Sequence, residues 1–257
     1  MRLYFKNARL INPETGTDEL GGLFVVDGLI SDAIDVDRVI DCRGKCLAPG
    51  IVDIGVKVSE PGERHKESFA SAGRAAIAGG ITTIVTRPDT VPAIDTPETL
   101  EFIERRASID AAVNVLPMAA LTKGRLGREM TEIGFLLDAG AVAFTDCDRI
   151  VTNTKIFSRV LTYAHSLGAL VIGHVQEPGL SDGGSVTSGK FATLRGLTGI
   201  SPLAERMGLD RVFSLLETTL TAYNFVHITT ARALPALERA KANGLNITAG
   251  VGVHTSR

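Results

Sequence analysis

The sequence predicts an α/β protein: a (β/α)8-type barrel, with about seven strand–helix units present, preceded by a small β-domain. Three features of the chain point there. From residue 51 onward, short apolar runs alternate with amphipathic stretches, the texture of parallel strands joined by helices. Residues 1–50 instead carry β-like runs broken by Asn-Pro and Gly-rich turns, with no helical apolar stripe. The 257 residues are 44% hydrophobic without a long charge run, which is enough material for one large domain and one small one.

Taken in order, RLYFKNARLI, GGLFVVDGLI and DRVIDCRGKCL predict the strands of the first domain, residues 1–50, as part of a β-sandwich. The barrel, 51–257, is expected to have strands near 51–58, 81–86, 112–116, 141–145, 169–174, 223–228 and 246–251. Helices are expected near 66–79, 96–108, 127–139, 152–167, 203–219 and 231–243. In the first barrel strand, IVDIGVKV, Asp53, Gly55 and Lys57 fall on one face while Ile54, Val56 and Val58 fall on the other, giving a chemical face and an apolar one. Seven strands are one short of a closed barrel, so the chain is expected to be truncated before an eighth strand, or to associate as a homo-oligomer that covers its open edges.

Lys and Arg total 27 against 29 Asp and Glu, a formal charge of -2, so electrostatics favour neither nucleic acid nor an anionic membrane. An odd number of cysteines, with no signal peptide and no membrane-length apolar run, points to a reducing cytoplasm. Cys42 and Cys46 lack a second ligand pair and are expected to pack rather than bind zinc. His65 and Lys66 are expected on a solvated face with capping duties, and His165 late in a helix, where a cation suits the dipole. His254 lies too near the terminus to interpret. The loop LSDGGSVTSGK at 180–190 lacks the spacing of a phosphate cradle and is expected to be a mobile loop at the barrel mouth.

Functional residues of a parallel barrel sit at the C-terminal ends of its strands, where Gly55, Lys57, Asp89, Asp146, Cys147, His174 and His227 fall. Several segments share a particular pattern: PGIVD at 49–53, EPGxxHKE at 60–67, AxAGGxTT at 76–83, VNVLPMAALTKG at 113–124, AGAVAFTD at 139–146 and GLTGISPLAE at 196–205. Together they resemble the class I dihydroorotases of the amidohydrolase superfamily. That resemblance implies a D-x-H-x-H first strand whose histidines bind a catalytic divalent metal, followed by a substrate-binding arginine; here the three positions hold Gly55, Lys57 and Ser59. The family's M-P-N-T reads Arg87-Pro88-Asp89-Thr90, leaving Asp89 as an altered substrate-binding position, and Cys147 aligns with a metal-binding aspartate. His174 and His227 keep the fifth- and sixth-strand histidines.

Two functional expectations follow. Hydrolysis of an unactivated cyclic amide needs a metal-activated hydroxide and a polarised carbonyl, and Lys57 sets an ammonium where an imidazole would face the cation. The first expectation is therefore a dihydroorotase scaffold of pyrimidine synthesis whose chemistry is lost or severely weakened, with no catalytic residue assigned and zinc absent or only partly occupied. It resembles the subset of the family that lacks the HxH ligands and partners aspartate carbamoyltransferase. The alternative is an active cyclic amidohydrolase, on dihydroorotate, a hydantoin or allantoin, with a rebuilt zinc site of Cys147, His174 and His227.

Overall fold

The computed structural model describes residues 1–32 and 35–252. His254 lies outside the described residues. The chain divides into two compact units, Met1–Ile51 and Val52–Arg257. Among the described residues no helix is long and apolar enough to cross a membrane.

The first unit is built on a hairpin. Strands β1 (Arg2–Asn12) and β2 (Thr17–Val26) pair antiparallel around a turn in which the Asn12 side chain accepts the Glu14 amide at 3.0 Å. Three short strands complete the sheet, β3 (Leu29–Ser31), β4 (Arg38–Asp41) and β5 (Cys46–Leu47), in the order β3-β2-β1-β4 with β5 also against β1. Tyr4 and Phe24 stack across the hairpin at 4.1 Å. Of the two cysteines expected to pack, Cys42 is buried but Cys46 is exposed. Its two-residue strand pairs only with β1 and leaves the thiol in solvent.

The second unit alternates strand and helix: β6 (Ile51–Val56), α1 (Phe69–Ala78), β7 (Ile81–Thr86), α2 (Pro97–Asp110), β8 (Asn114–Pro117), α3 (Ile133–Asp138), α4 (Thr154–Ser166) and β9 (Val171–His174). It continues through α5 (Pro178–Ser181), β10 (Val186–Thr187), α6 (Lys190–Leu194), β11 (Gly199–Ile200), α7 (Pro202–Thr219), β12 (Tyr223–Val226), α8 (Leu234–Ala242) and β13 (Ile247–Ala249). Sheets β6-β7-β8 and β13-β12-β9 are joined by the segment 141–145, which bridges Ala119 on one side and Val171 on the other through Phe144. The result is a parallel series in chain order, the arrangement expected of a β/α barrel.

Three expectations need correction. The fourth strand is reduced to single bridges at Phe144, although its amides still reach both neighbours: Val142 N donates to Pro117 O at 3.0 Å and Phe144 N to Leu170 O at 2.9 Å. The helix expected over 127–139 forms only at Ile133–Asp138. Upstream the backbone folds into a loop in which Thr131 N donates to Leu121 O and Lys123 N to Glu129 O, and these bonds satisfy groups that a helix would otherwise pair. Finally, the apolar face of the first barrel strand turns inward only towards its end: Val56 packs against the core and Val58, just past β6, is buried, whereas Ile51, Val52 and Ile54 are exposed, and among the described residues β6 has a strand neighbour only in β7.

Between the sheet and its helices lies the core, where Ile84, Leu136, Phe144, Leu161, Val171, Leu209 and Phe225 are almost wholly buried. Phe225 meets Phe213 of α7 edge-on at 5.3 Å. Gly208 lets α7 approach the end of β9 closely, since a Cβ there would stand 2.7 Å from the Gln176 amide nitrogen. Helix α1 is capped by Ser68 and Ser71 reciprocally, with Glu60 accepting from Phe69 N at 3.1 Å. His65 and Lys66 precede the helix, exposed, and do not cap it. His165 does occupy the last turn of α4. The 180–190 segment is structured in part, as β10 pairs parallel with β11.

Candidate functional site at the barrel mouth

At the C-terminal end of the first two barrel strands the charges converge. Lys57 follows β6, and its Nζ lies 3.0 Å from Asp89 Oδ2. Arg87 follows β7, and its Nη2 donates to the same oxygen at 3.0 Å. This guanidinium also lies 3.5 Å from Asp148 Oδ1, which accepts from Arg125 Nη2 at 2.7 Å. The Asp89 side chain is only 5% exposed, while Lys57 is 50% exposed. Asp89 Oδ1 and Arg87 Nε are buried without a hydrogen-bond partner.

Gly55 has φ +93°, a conformation that disfavours any side chain, although the space where a Cβ would stand is empty. An imidazole at this position would therefore strain the backbone as it is folded here. Ser59, at the expected arginine position, is buried with its carbonyl accepting from Glu63 N at 2.8 Å.

After the fourth strand segment, neighbouring side chains part company. Asp146 turns inward and accepts from Thr122 N at 3.0 Å and Thr122 Oγ1 at 2.5 Å, tying the strand end to the loop after β8. Burial pushes the Asp146 carboxyl up, and the bonds from Thr122 oppose that shift. Cys147 is buried in a left-handed conformation, φ +60°, with its amide donating to Thr145 Oγ1 at 2.8 Å. Burial pushes its thiol up to about 11, against the pull of Arg87.

On the opposite side, His174 ends β9 and its Nε2 lies 3.1 Å from Gln176 Oε1. His227 follows β12, exposed and left-handed at φ +56°. The loop beyond it is held by Glu205 of α7, which is 5% exposed. Thr229 reaches Oε1 with its amide at 2.7 Å and hydroxyl at 2.9 Å, and Thr230 reaches Oε2 at 2.9 and 2.5 Å.

Cys147, His174 and His227 line one cavity of about 160 Å³ together with Gly55, Arg87 and Asp148. Among the described residues, however, no group of three or more His, Cys, Asp or Glu side chains is placed to hold a metal ion. The donor set does not fit a divalent cation: Lys57 and Arg87 converge on Asp89, Arg87 lines the same cavity as the cysteine and the two histidines, and one histidine nitrogen is engaged by Gln176. Sequence reasoning had placed Lys57, Asp89, Cys147, His174 and His227 near this mouth, but it missed Arg125 and Asp148 as members of the charged cluster. Asp148 closes the stretch Thr145-Asp146-Cys147-Asp148 that aligns with the family's T-D-D-G, but nothing there points to a cation partner; Arg125 belongs to no motif, and its only signal is charge in a segment next to a strand end.

The chain matches the family model described as Dihydro-orotase-like over residues 44–233. It is 38% identical over 260 residues to the dihydroorotase of Syntrophobacter fumaroxidans, covering 97% of this chain and 59% of that protein. With the dihydroorotase of Endomicrobium trichonymphae the identity is 37%, covering 99% and 61% respectively. The chain thus spans about 60% of the length of these curated relatives. Among solved structures, it is similar to the L-hydantoinase of Arthrobacter aurescens, with a TM-score of 0.80 at 20% identity, covering 97% of this chain and 58% of that one. A D-hydantoinase gives 0.78 at 22%, covering 99% and 58%. At these identities the structural likeness shows the fold alone.

Proposed function

We propose that this chain, which belongs to the Dihydro-orotase-like family, serves de novo pyrimidine synthesis in the cytoplasm as a scaffold without ordinary dihydroorotase turnover. In this reading it assembles as a homo-oligomer with aspartate carbamoyltransferase. One observation carries the proposal: Lys57 and Arg87 both close on Asp89 at the ends of the first two barrel strands, where the family resemblance implies neutral metal ligands and a substrate-holding asparagine. Opening the ring of L-dihydroorotate to N-carbamoyl-L-aspartate requires a nucleophile derived from water and a polarised amide carbonyl. Fixed cations paired to a buried carboxylate supply no base for the water, and the Cys147 thiol, pushed up to about 11, holds its proton.

A second reading is favoured by the shared cavity of Cys147, His174 and His227: an active amidohydrolase on dihydroorotate, a hydantoin or allantoin, with a rebuilt zinc site. Metal content and turnover of the purified full-length protein separate the two. The scaffold reading expects no stoichiometric zinc, no hydrolysis of dihydroorotate above buffer when zinc is added, and co-elution with a carbamoyltransferase. Stoichiometric zinc, lost together with hydrolysis in Cys147→Ala or His174→Ala, overturns it.

A further inference from the structure

We infer that the alternating charges Lys57, Asp89, Arg87, Asp148 and Arg125 form an internal brace that takes over a metal's structural duty at the barrel mouth, so that the mouth gains nothing from a divalent cation. A mouth metal fastens separate strands by drawing ligands from each. Here the fastening runs through four segments: the end of β6 with Lys57, the end of β7 with Arg87 and Asp89, the turn after the fourth strand segment with Asp148, and the 123–125 turn after β8 with Arg125. The contacts are 3.0 Å from Lys57 to Asp89, 3.0 Å from Arg87 to Asp89, 3.5 Å from Arg87 to Asp148 and 2.7 Å from Arg125 to Asp148. Arg125 extends the brace by donating through Nε and Nη2 to the Asp146 carbonyl at 3.2 and 3.0 Å.

Burial, rather than order along this chain, sets how much each link contributes. The Asp89–Arg87 pair is shielded, with the side chains 5% and 23% exposed, and Arg125 is also largely buried, whereas Lys57 and Asp148 are open to water. Shielded pairs are screened little, and removing one partner leaves a charge stranded; exposed links are screened and weak. Asp89 is therefore the keystone, since both Lys57 and Arg87 depend on its Oδ2. Three cations against two carboxylates also give the cluster an excess of positive charge, which repels an incoming divalent ion.

Thermal unfolding of the full-length protein tests the brace without any activity readout. Tm is expected to be the same in excess EDTA as with added zinc. Asp89→Asn should lower it by about 6–10 °C, as expected for stranding a buried cation in a domain of this size. The double variant Arg87→Met/Asp89→Asn removes the stranded guanidinium and should recover about half of that loss, a non-additivity that a merely local packing defect would not give. If Asp89→Asn does not fold, a folded double variant carries the same conclusion. A fall of Tm in EDTA, a rise with zinc, an unchanged Tm in Asp89→Asn, or strictly additive losses would each overturn the brace. The zinc and EDTA outcomes also bear on the scaffold role, but the variant Tm values do not: an unchanged Tm in Asp89→Asn or strictly additive losses would end the brace and leave the scaffold role to be judged by metal content, turnover and carbamoyltransferase binding.

Discussion

The two sides of the barrel mouth are held by different physics. On the β6–β7 side, fixed charges of both signs meet around Asp89. On the β9–β12 side, a single buried carboxylate, Glu205, gathers two amides and two hydroxyls from Thr229 and Thr230, with no counter-cation among these contacts. The histidine-bearing side also keeps the residues that the family resemblance implies, His174 and His227, while the charged side has replaced them. Departure from the family pattern is thus one-sided. The framework beneath His227 is intact, whereas the first strand has exchanged imidazoles for a left-handed glycine and an ammonium.

Glu205→Ala should cost about 2–3 kcal/mol of unfolding free energy, because two part-buried amides and two hydroxyls lose their charged acceptor at once. Urea unfolding measures this directly. A loss below that of Asp89→Asn, measured in the same way, would make the charged side the more strongly held of the two.

A smaller effect, about 2 kcal/mol, is expected from Cys147 at alkaline pH. Its folded-state value of about 11 stands above the ordinary 9.0, so the folded state holds the proton more tightly. The contribution is fully present below pH 9.0 and is lost as pH rises toward about 11. Comparing wild type with Cys147→Ala across that window isolates it: the stability gap between them should narrow as pH rises. A constant gap would mean that the thiol ionises alike in both states.

The smallest effect, about 1 kcal/mol, is expected for Gly55→Ala, which meets no neighbouring atom but must adopt φ +93°. Gly55→His should pay the same backbone strain. If instead Gly55→Ala proves neutral, the β6 backbone relaxes readily, and the two sides differ less in rigidity than their contacts suggest.

Much of the fold was legible because it depends on local pattern. ITTIVT at 81–86 is apolar, β-branched and bounded by Gly-Gly, and it forms β7 over those very residues. Pro97 and the amphipathic run after it give α2. Where local pattern competed with tertiary demands, the reading failed. The 127–132 stretch turns back to satisfy the backbone of 121–123 instead of starting a helix, and the first barrel strand buries its apolar face only at Val56 and Val58, because among the described residues β6 has a strand neighbour on one side only. At the mouth, the odd residues Gly55, Lys57, Asp89 and Cys147 were visible by comparison with the family pattern. Their partners were not, since Arg125 stands 23 positions from Asp148 and no spacing rule links the two.

By itself the sequence determined the order of strand–helix units and the family they belong to, because apolar periodicity and motif residues are local along the chain. It also determined that the first strand carries Gly55 and Lys57 in place of histidines. Only the tertiary structure decided what those replacements do. Asp146 turns away to Thr122, Cys147 is buried as a thiol, and Lys57, Arg87, Asp148 and Arg125 gather with Asp89 from four separate segments. Electrostatic pairing depends on distance and burial in space, and both come into being only when the parallel strands have docked in register.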